Sequence, residues 1–249
     1  TGKTVTITPS YSGADVSNYS ITNHADVIAN ITARSLTVSG VKASNKTYDS
    51  TVTATMDSSS AVYSGFVNGD DFVASYSGVF ANANAGTGKT VTITSSYSGA
   101  DVSNYNITDQ TSTTANISAK ALTATASASN KVYDGSSAAT STLTLSGFVG
   151  SETVTSTNIS TFNNKNAGTG KTVTVNSITL ADGTNGGLAA NYSISTGQTA
   201  TANVTAKALT VSGITASNKV YDSTTNATTV LSFSGLIGSE TINNTNSST

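Results

Sequence analysis

The 249-residue chain has no cysteine, no tryptophan, one proline, one histidine and only 10% charged residues. Without cysteine there are no disulfide staples and no thiolate metal sites, while the redox compartment stays open. The lone histidine, His24, cannot be a ligand that recurs along the chain. No Ser-His-Asp, Cys-His or zinc-binding set can be assembled in the remainder. A net charge of −2 gives no electrostatic footprint for nucleic acid or an anionic membrane. No run of 18 apolar residues is present, so membrane insertion is not expected, and any signal peptide is expected to lie outside this stretch. An enzyme is the least favoured class, and no cofactor or metal is expected.

What is present is repetition. Asn-Lys-x-Tyr-Asp-Ser/Gly begins at Asn45, Asn130 and Asn218, 85 and 88 residues apart. Thr-Gly-Lys-Thr, beginning at Thr1, Thr87 and Thr169, and Asn-Tyr-x-Ile, beginning at Asn18, Asn104 and Asn191, keep step with it. One module of about 86 residues is copied, and copying supplies length, spacing or multivalency where an enzyme needs one site. The joins fall near Arg34, Lys120 and Lys207. Residues 35–120 and 121–207 are read as complete modules, 1–34 as the back part of one and 208–249 as the front part of another.

Within a module the signal is period-two alternation. Thr4-Val5-Thr6-Ile7-Thr8, Thr90-Val91-Thr92-Ile93-Thr94 and Thr172-Val173-Thr174-Val175 put apolar and hydroxyl side chains on opposite faces, as half-buried strands do. No sustained helical stripe appears, and Thr, Ser, Asn and Gly are poor in helix interiors. At each join the apolar phase slips by one residue: Ile31 and Ala33 alternate against Leu36 and Val38, Ile117 and Ala119 against Leu122 and Ala124. Such a slip turns the inward face outward, so one extended segment is expected to leave one core and enter the next as a stiff linker. The reading is all-β: tandem immunoglobulin-like β-sandwich modules in an elongated array. A β-grasp-like module is the alternative if Phe-Val-Gly-Ser-Glu (148–152) starts a short helix.

Tyr48-Asp49-Ser50, Tyr133-Asp134-Gly135 and Tyr221-Asp222-Ser223 read as capped turns, with Asp accepting backbone N–H bonds and Tyr packing inward. Serine in two of three copies argues against an obligatory positive φ there. The preceding lysines, Lys46, Lys131 and Lys219, read as surface cations. Core anchors are expected at Phe66 and Phe148, Phe80 and Phe162, and Tyr105 and Tyr192, beside the three turn tyrosines. Ala-Gly-Thr-Gly-Lys-Thr at 85–90 and 167–172 imitates a phosphate loop but lacks its first glycine, Ala83 and Lys165 standing there. A turn entering a strand, with Lys89 and Lys171 guarding the edge, is expected instead. Asp182-Gly183-Thr184-Asn185-Gly186 offers one carboxylate where calcium wants several. A lysine–asparagine isopeptide bond at these repeated lysines is a minor alternative, since no Glu recurs with them. Asn30, Asn106, Asn116, Asn158, Asn191 and Asn203 sit in Asn-x-Ser/Thr sequons, which an exporting cell that glycosylates adhesins would use.

Asn-Lys-x-Tyr-Asp-Gly, Ser-Gly-Phe-Val (64–67, 146–149), Asn-Ala-Gly-Thr-Gly-Lys-x-Val, Asn-Tyr-x-Ile and the closing Thr/Ser-Ala-Lys-Ala-Leu-Thr follow in order. With these, each unit resembles the YDG-type repeats of bacterial filamentous-haemagglutinin-like adhesins. Ser50 and Ser223 depart from the motif glycine. The resemblance implies an extracellular stalk or spacer of a large bacterial surface protein that projects a binding region, and supplies no catalytic residue. Its expected partners are neighbouring modules of the same chain, with surface glycans engaged by regions outside this stretch. Multivalent carbohydrate binding and self-association through strand edges are the competing readings.

Overall fold

The computed structural model describes residues 1–244. Among these the only helical elements are single 3₁₀ turns at Val16–Asn18, Val102–Asn104 and Ala189–Asn191, so the protein is all-β. Contacts divide the chain into two units, Thr1–Ser118 and the residues from Ala119 onward.

In the first unit a five-stranded sheet has the order Lys46–Thr47, Ser112–Ser118, Gly86–Ser98, Val73–Phe80, Thr53–Ala54. Its pairs are antiparallel except the outermost, where Lys46 lies opposite Ile117 in a parallel pair. A smaller sheet orders Tyr105–Thr108, Arg34–Ser39 and Val62–Ser64, the first two strands running parallel. Alternation does what the pattern promised: Val91 and Ile93 are buried, while Thr90, Thr92 and Thr94 face solvent. Val38 from the small sheet meets Ile93 from the large one, ringed by Met56, Tyr63, Tyr76, Tyr97 and Ile107.

The second unit repeats the plan. Lys131–Val132, Thr199–Thr205, Gly168–Asp182, Val154–Phe162 and Ala138–Ala139 form its five-stranded sheet. Lys120–Ala121 pairs in parallel with Tyr192–Ser193, and Thr123–Ala128 pairs antiparallel with Ser141–Ser146. Phe162, Val173, Ala202 and Val204 form the buried cluster, with Tyr133 packed against it.

The Thr-Gly-Lys-Thr segments are β-bulges inside these long strands. Pairing slips between Gly86 and Lys89 and between Gly168 and Lys171, with Gly88 and Gly170 at φ 59° and 57°. A bulge leaves backbone groups outside the ladder. Here an asparagine from the neighbouring strand takes the glycine N–H: Asn116 Oδ1 at 2.7 Å from Gly88 N, Asn203 Oδ1 at 2.8 Å from Gly170 N. No helix follows either glycine, as the missing phosphate-loop geometry required.

Two expectations change. Phe148–Glu152 closes as a turn, Glu152 N donating to Val149 O at 3.1 Å, so the helix that a β-grasp module needed is not formed. In the second unit the join is not one continuous strand, because Thr199–Thr205 ends and Thr210–Ala216 begins with residues 206–209 outside either.

Candidate functional site

The Asn-Lys-x-Tyr-Asp motif folds around its own lysine. Lys46 Nζ donates to Asp49 Oδ1 at 2.7 Å, to Thr51 O and Oγ1 at 2.8 Å and to Thr53 O at 3.2 Å. Lys131 does the same with Asp134, Ser136 and Ala138, and Lys219 with Asp222 and Thr224. The ammonium sits where a bound cation would, collecting a carboxylate, a hydroxyl and carbonyls from one tight turn. Lys46 and Lys131 Nζ also stand 5.6 Å from the ring centroids of Phe80 and Phe162, respectively. The aspartate closes the turn by accepting the N–H two residues on, at 2.9–3.0 Å. Lys131 and the Ser136 N–H hold the Asp134 carboxyl down at about 2, and Lys219 likewise lowers Asp222. For Asp49 burial pushes upward, yet the hydrogen bonds from Lys46 and Thr51 prevail and its pKa falls.

Lys46 and Lys131 are therefore not surface cations, their side chains keeping less than a fifth of their exposure, whereas Lys219 stays exposed. The residue after aspartate also departs from expectation. Ser50, Gly135 and Ser223 all take positive φ, 63°, 78° and 64°, since the Asp–N–H closure and the carbonyls converging on the ammonium fix the backbone whichever residue stands there. The motif asparagine has a role as well: Asn45 Oδ1 accepts from Asn116 N and Asn130 Oδ1 from Asn203 N, both at 2.7 Å.

A second constellation is a tyrosine in a socket. The Tyr105 hydroxyl donates to Asp70 Oδ2 and accepts from Val67 N at 3.0 Å. The Tyr192 hydroxyl donates to Glu152 Oε2 at 2.7 Å and accepts from Val149 N at 3.1 Å. Phe66 stacks on Tyr105 with centroids 6.1 Å apart, and Phe148 meets Tyr192 edge-on at 5.6 Å. Burial first, then the carboxylate, raises both phenol pKa values. Tyr105 and Tyr192 thus rivet the Ser-Gly-Phe-Val turns that begin at Ser64 and Ser146.

In the second unit the residues around the Tyr133 turn also touch the Ile237–Glu240 segment. The Tyr133 hydroxyl donates to Glu240 Oε1, Lys165 Nζ lies 3.4 Å from the same oxygen, and a Cβ at Gly135 would come within 2.9 Å of Ile237 Cγ2. Donation to Glu240 raises the Tyr133 pKa and lowers that of Glu240.

The YDG domain model matches residues 32–114, 118–202 and 205–249. The chain belongs to the YDG domain family. Neither the curated proteins nor the solved structures contain a significant match to it.

The aromatic YDG residues singled out from sequence separate into three groups by burial. Tyr48, Tyr105 and Tyr192 are buried, whereas Tyr133, Phe66 and Phe148 are half-buried. Tyr221 is 88% exposed and anchors no core among the described residues. The backbone there lacks the cover given to Tyr48 and Tyr133, whose N–H groups donate to Ser118 O and Thr205 O on the adjacent strand. Asp49, Asp134 and Asp222 all serve as turn closers. Lys89 and Lys171 do not guard an edge but fold inward onto Asn82 Oδ1 and Asn164 Oδ1, and neither has a carboxylate partner among the described residues. Asp182 accepts from Ala189 N at 2.7 Å, a bond that closes its loop. Asn191 is fully buried, which removes it as a glycan acceptor in the folded protein. His24 is exposed, its Nδ1 2.8 Å from Ala25 O. Asp70 and Glu152 read from sequence as solvated turn residues, and neither they nor Glu240 were given a tyrosine partner; their constant place three residues after Val or Ile in Ser-Gly-x-x was the available signal.

Proposed function

We propose that this YDG array is a structural spacer: the stalk of a large bacterial surface adhesin of the filamentous-haemagglutinin-like kind, extracellular, projecting a binding region held elsewhere in the protein. The supporting observation is how the recurring polar residues are spent. Lysine and aspartate close one turn, asparagine supports the bulge and tyrosine with its acid pins a second turn, in copy after copy, and in the second unit Tyr133 and Lys165 reach Glu240 of the following segment. In this reading the modules are immunoglobulin-like sandwiches in series, and the neighbouring module is each one's partner. No helix among the described residues is long and apolar enough to cross a membrane. Small-angle scattering on the 249-residue chain tests the proposal. A spacer gives the profile of a stiff rod, and the profile of a compact globule or a flexible string overturns it.

A second reading rests on the hydroxyl face. Thr90, Thr92 and Thr94 are exposed, with Thr114, Ser112 and Ser77 opposite them across the ladder. A regular hydroxyl array repeated per module suits weak multivalent binding of carbohydrate. Glycan-array binding by the chain, lost on Thr92→Val, would favour it over a spacer.

A further inference from the structure

The first unit holds a tyrosine cluster that the second lacks. Tyr63 lies on the Val62–Ser64 strand of the small sheet, and Tyr76 and Tyr97 lie on the paired strands Val73–Phe80 and Gly86–Ser98 of the large one. Tyr97 faces Ala74 across the ladder and so stands diagonal to Tyr76, within reach for aromatic side chains. All three rings are half-buried against Val38, Val41 and Ile93. The Tyr76 hydroxyl donates to the Tyr63 hydroxyl at 3.0 Å, and the Tyr97 hydroxyl donates to the exposed Asp109 carboxylate. Phe72 closes the cluster, its ring centroid 5.9 Å from that of Tyr63 and 5.3 Å from that of Tyr97. In the second unit Leu145 precedes Ser-Gly-Phe where Tyr63 does in the first, and the strands Val154–Phe162 and Gly168–Asp182 have no tyrosine.

None of these three hydroxyls takes part in the lysine-centred turn or the tyrosine socket. Burial, and then the hydrogen bond to Tyr63, pushes the Tyr76 pKa up, and burial, and then Asp109, does the same at Tyr97. Both therefore stay neutral phenols at ordinary pH. A neutral phenol gives up an electron readily only where its proton has an acceptor, and at Tyr97 the Asp109 carboxylate is that acceptor.

We infer that the Tyr63–Tyr76 pair is an oxidative cross-linking site, at which a diffusible one-electron oxidant couples the two rings into a dityrosine that ties the small sheet to the large one. Tyr97 loses the first electron, its proton passing to Asp109 and on to water, and takes an electron and a proton back from Tyr76. A second oxidation removes an electron and a proton from Tyr63. The two phenoxyl radicals then join through a ring carbon next to each oxygen. The hydrogens on those carbons move to the oxygens, so both phenols are restored and the net loss is two hydrogen atoms. In the product the hydroxyls flank the new bond within hydrogen-bonding distance, as they already are at 3.0 Å. A chain with no cysteine gains in this way a covalent link that closes a loop and restricts the unfolded state. The site lies wholly within the first unit and stands independently of the spacer reading.

Illumination of the dilute 249-residue chain with tris(bipyridine)ruthenium and persulfate, which accepts the electrons and leaves as sulfate, tests it. The expected product is a monomer, lighter by two hydrogen atoms and fluorescent as dityrosine. Cleavage before Asp70 and Asp71 should leave the peptides bearing Tyr63 and Tyr76 joined. Tyr63→Phe and Tyr76→Phe, which keep the rings in place, should each abolish that joined pair, and Asp109→Asn should slow its formation several-fold. Tyr105→Phe, in the same aromatic cluster, should leave it unchanged. Joined peptides that persist in Tyr63→Phe, coupling at other tyrosines in place of this pair, or oxidation confined to the adjacent Met56 would overturn the inference. A rate unaffected by Asp109→Asn would overturn the proton route.

Discussion

At residue level, two positions show backbone and side-chain geometry setting the identity. The αL conformation at Ser50 costs a non-glycine residue about 1–2 kcal/mol, offset here by the Asp49 closure and the lysine-centred bonds. Ser50→Gly should therefore stabilise the first unit by about 1 kcal/mol, read as a raised Tm in thermal denaturation; a lowered Tm would contradict the strain assignment. Gly78 is a matter of space. A Cβ there would lie 2.2 Å from Met56 Sδ, while in the second unit the corresponding pair is Ser160 and Ser141, whose hydroxyls bond at 2.6 Å. Gly78→Ser alone should cost about 1–3 kcal/mol by overpacking. Adding Met56→Ser should return part of that loss, and additive denaturation energies for the two changes would show that they do not interact.

At the level of the element, the turn depends on an ammonium that is locked in by its own backbone. Lys131→Met preserves the aliphatic stem but strands the Ser136 and Ala138 carbonyls and the Asp134 carboxylate, at a cost of about 3 kcal/mol. Urea denaturation monitored by tyrosine fluorescence measures it. The same turn gives the fold an acid limb. Asp134 is held at about 2 against an ordinary 3.8, so its contribution is complete above that ordinary value and is lost as pH falls from about 4 toward 2. Asp134→Asn should flatten the Tm of the second unit over that window, and an unchanged acid slope would refute the assignment. The tyrosine socket is the other element-level device: Tyr192→Phe keeps the ring against Phe148 but removes both bonds of the hydroxyl, for a loss of about 1–2 kcal/mol in chemical denaturation.

For the molecule as a whole, what matters is how one module hands over to the segment after it. In the second unit the Tyr133 hydroxyl reaches Glu240 and Gly135 sits against Ile237. Tyr133→Phe should therefore raise amide exchange at Leu236–Glu240 while leaving the Val149–Glu152 turn, pinned by Tyr192, protected. Equal exchange at Leu236–Glu240 in variant and parent would mean that the hydroxyl does not couple the two segments.

Much of this was legible along the chain because alternation and repetition are local properties. Thr90-Val91-Thr92-Ile93 reads as a half-buried strand from four side chains, and the spacing of Asn45, Asn130 and Asn218 declares the module without any knowledge of its shape. The closing role of Asp49 follows from its short reach to an N–H two residues on. What could not be read is where a long side chain ends up. Lys46 and Lys171 look like surface cations until the strands around them fix four acceptors or an asparagine within reach of one ammonium. The left-handed backbone at Ser50 is imposed by that convergence and not by its own preference. The acids Asp70 and Glu152 acquire a purpose only when a strand some 35–40 residues later delivers a tyrosine hydroxyl to them. Period and polarity are written residue by residue, whereas a hydrogen-bonded hub belongs to distant segments that meet only when the sheets close.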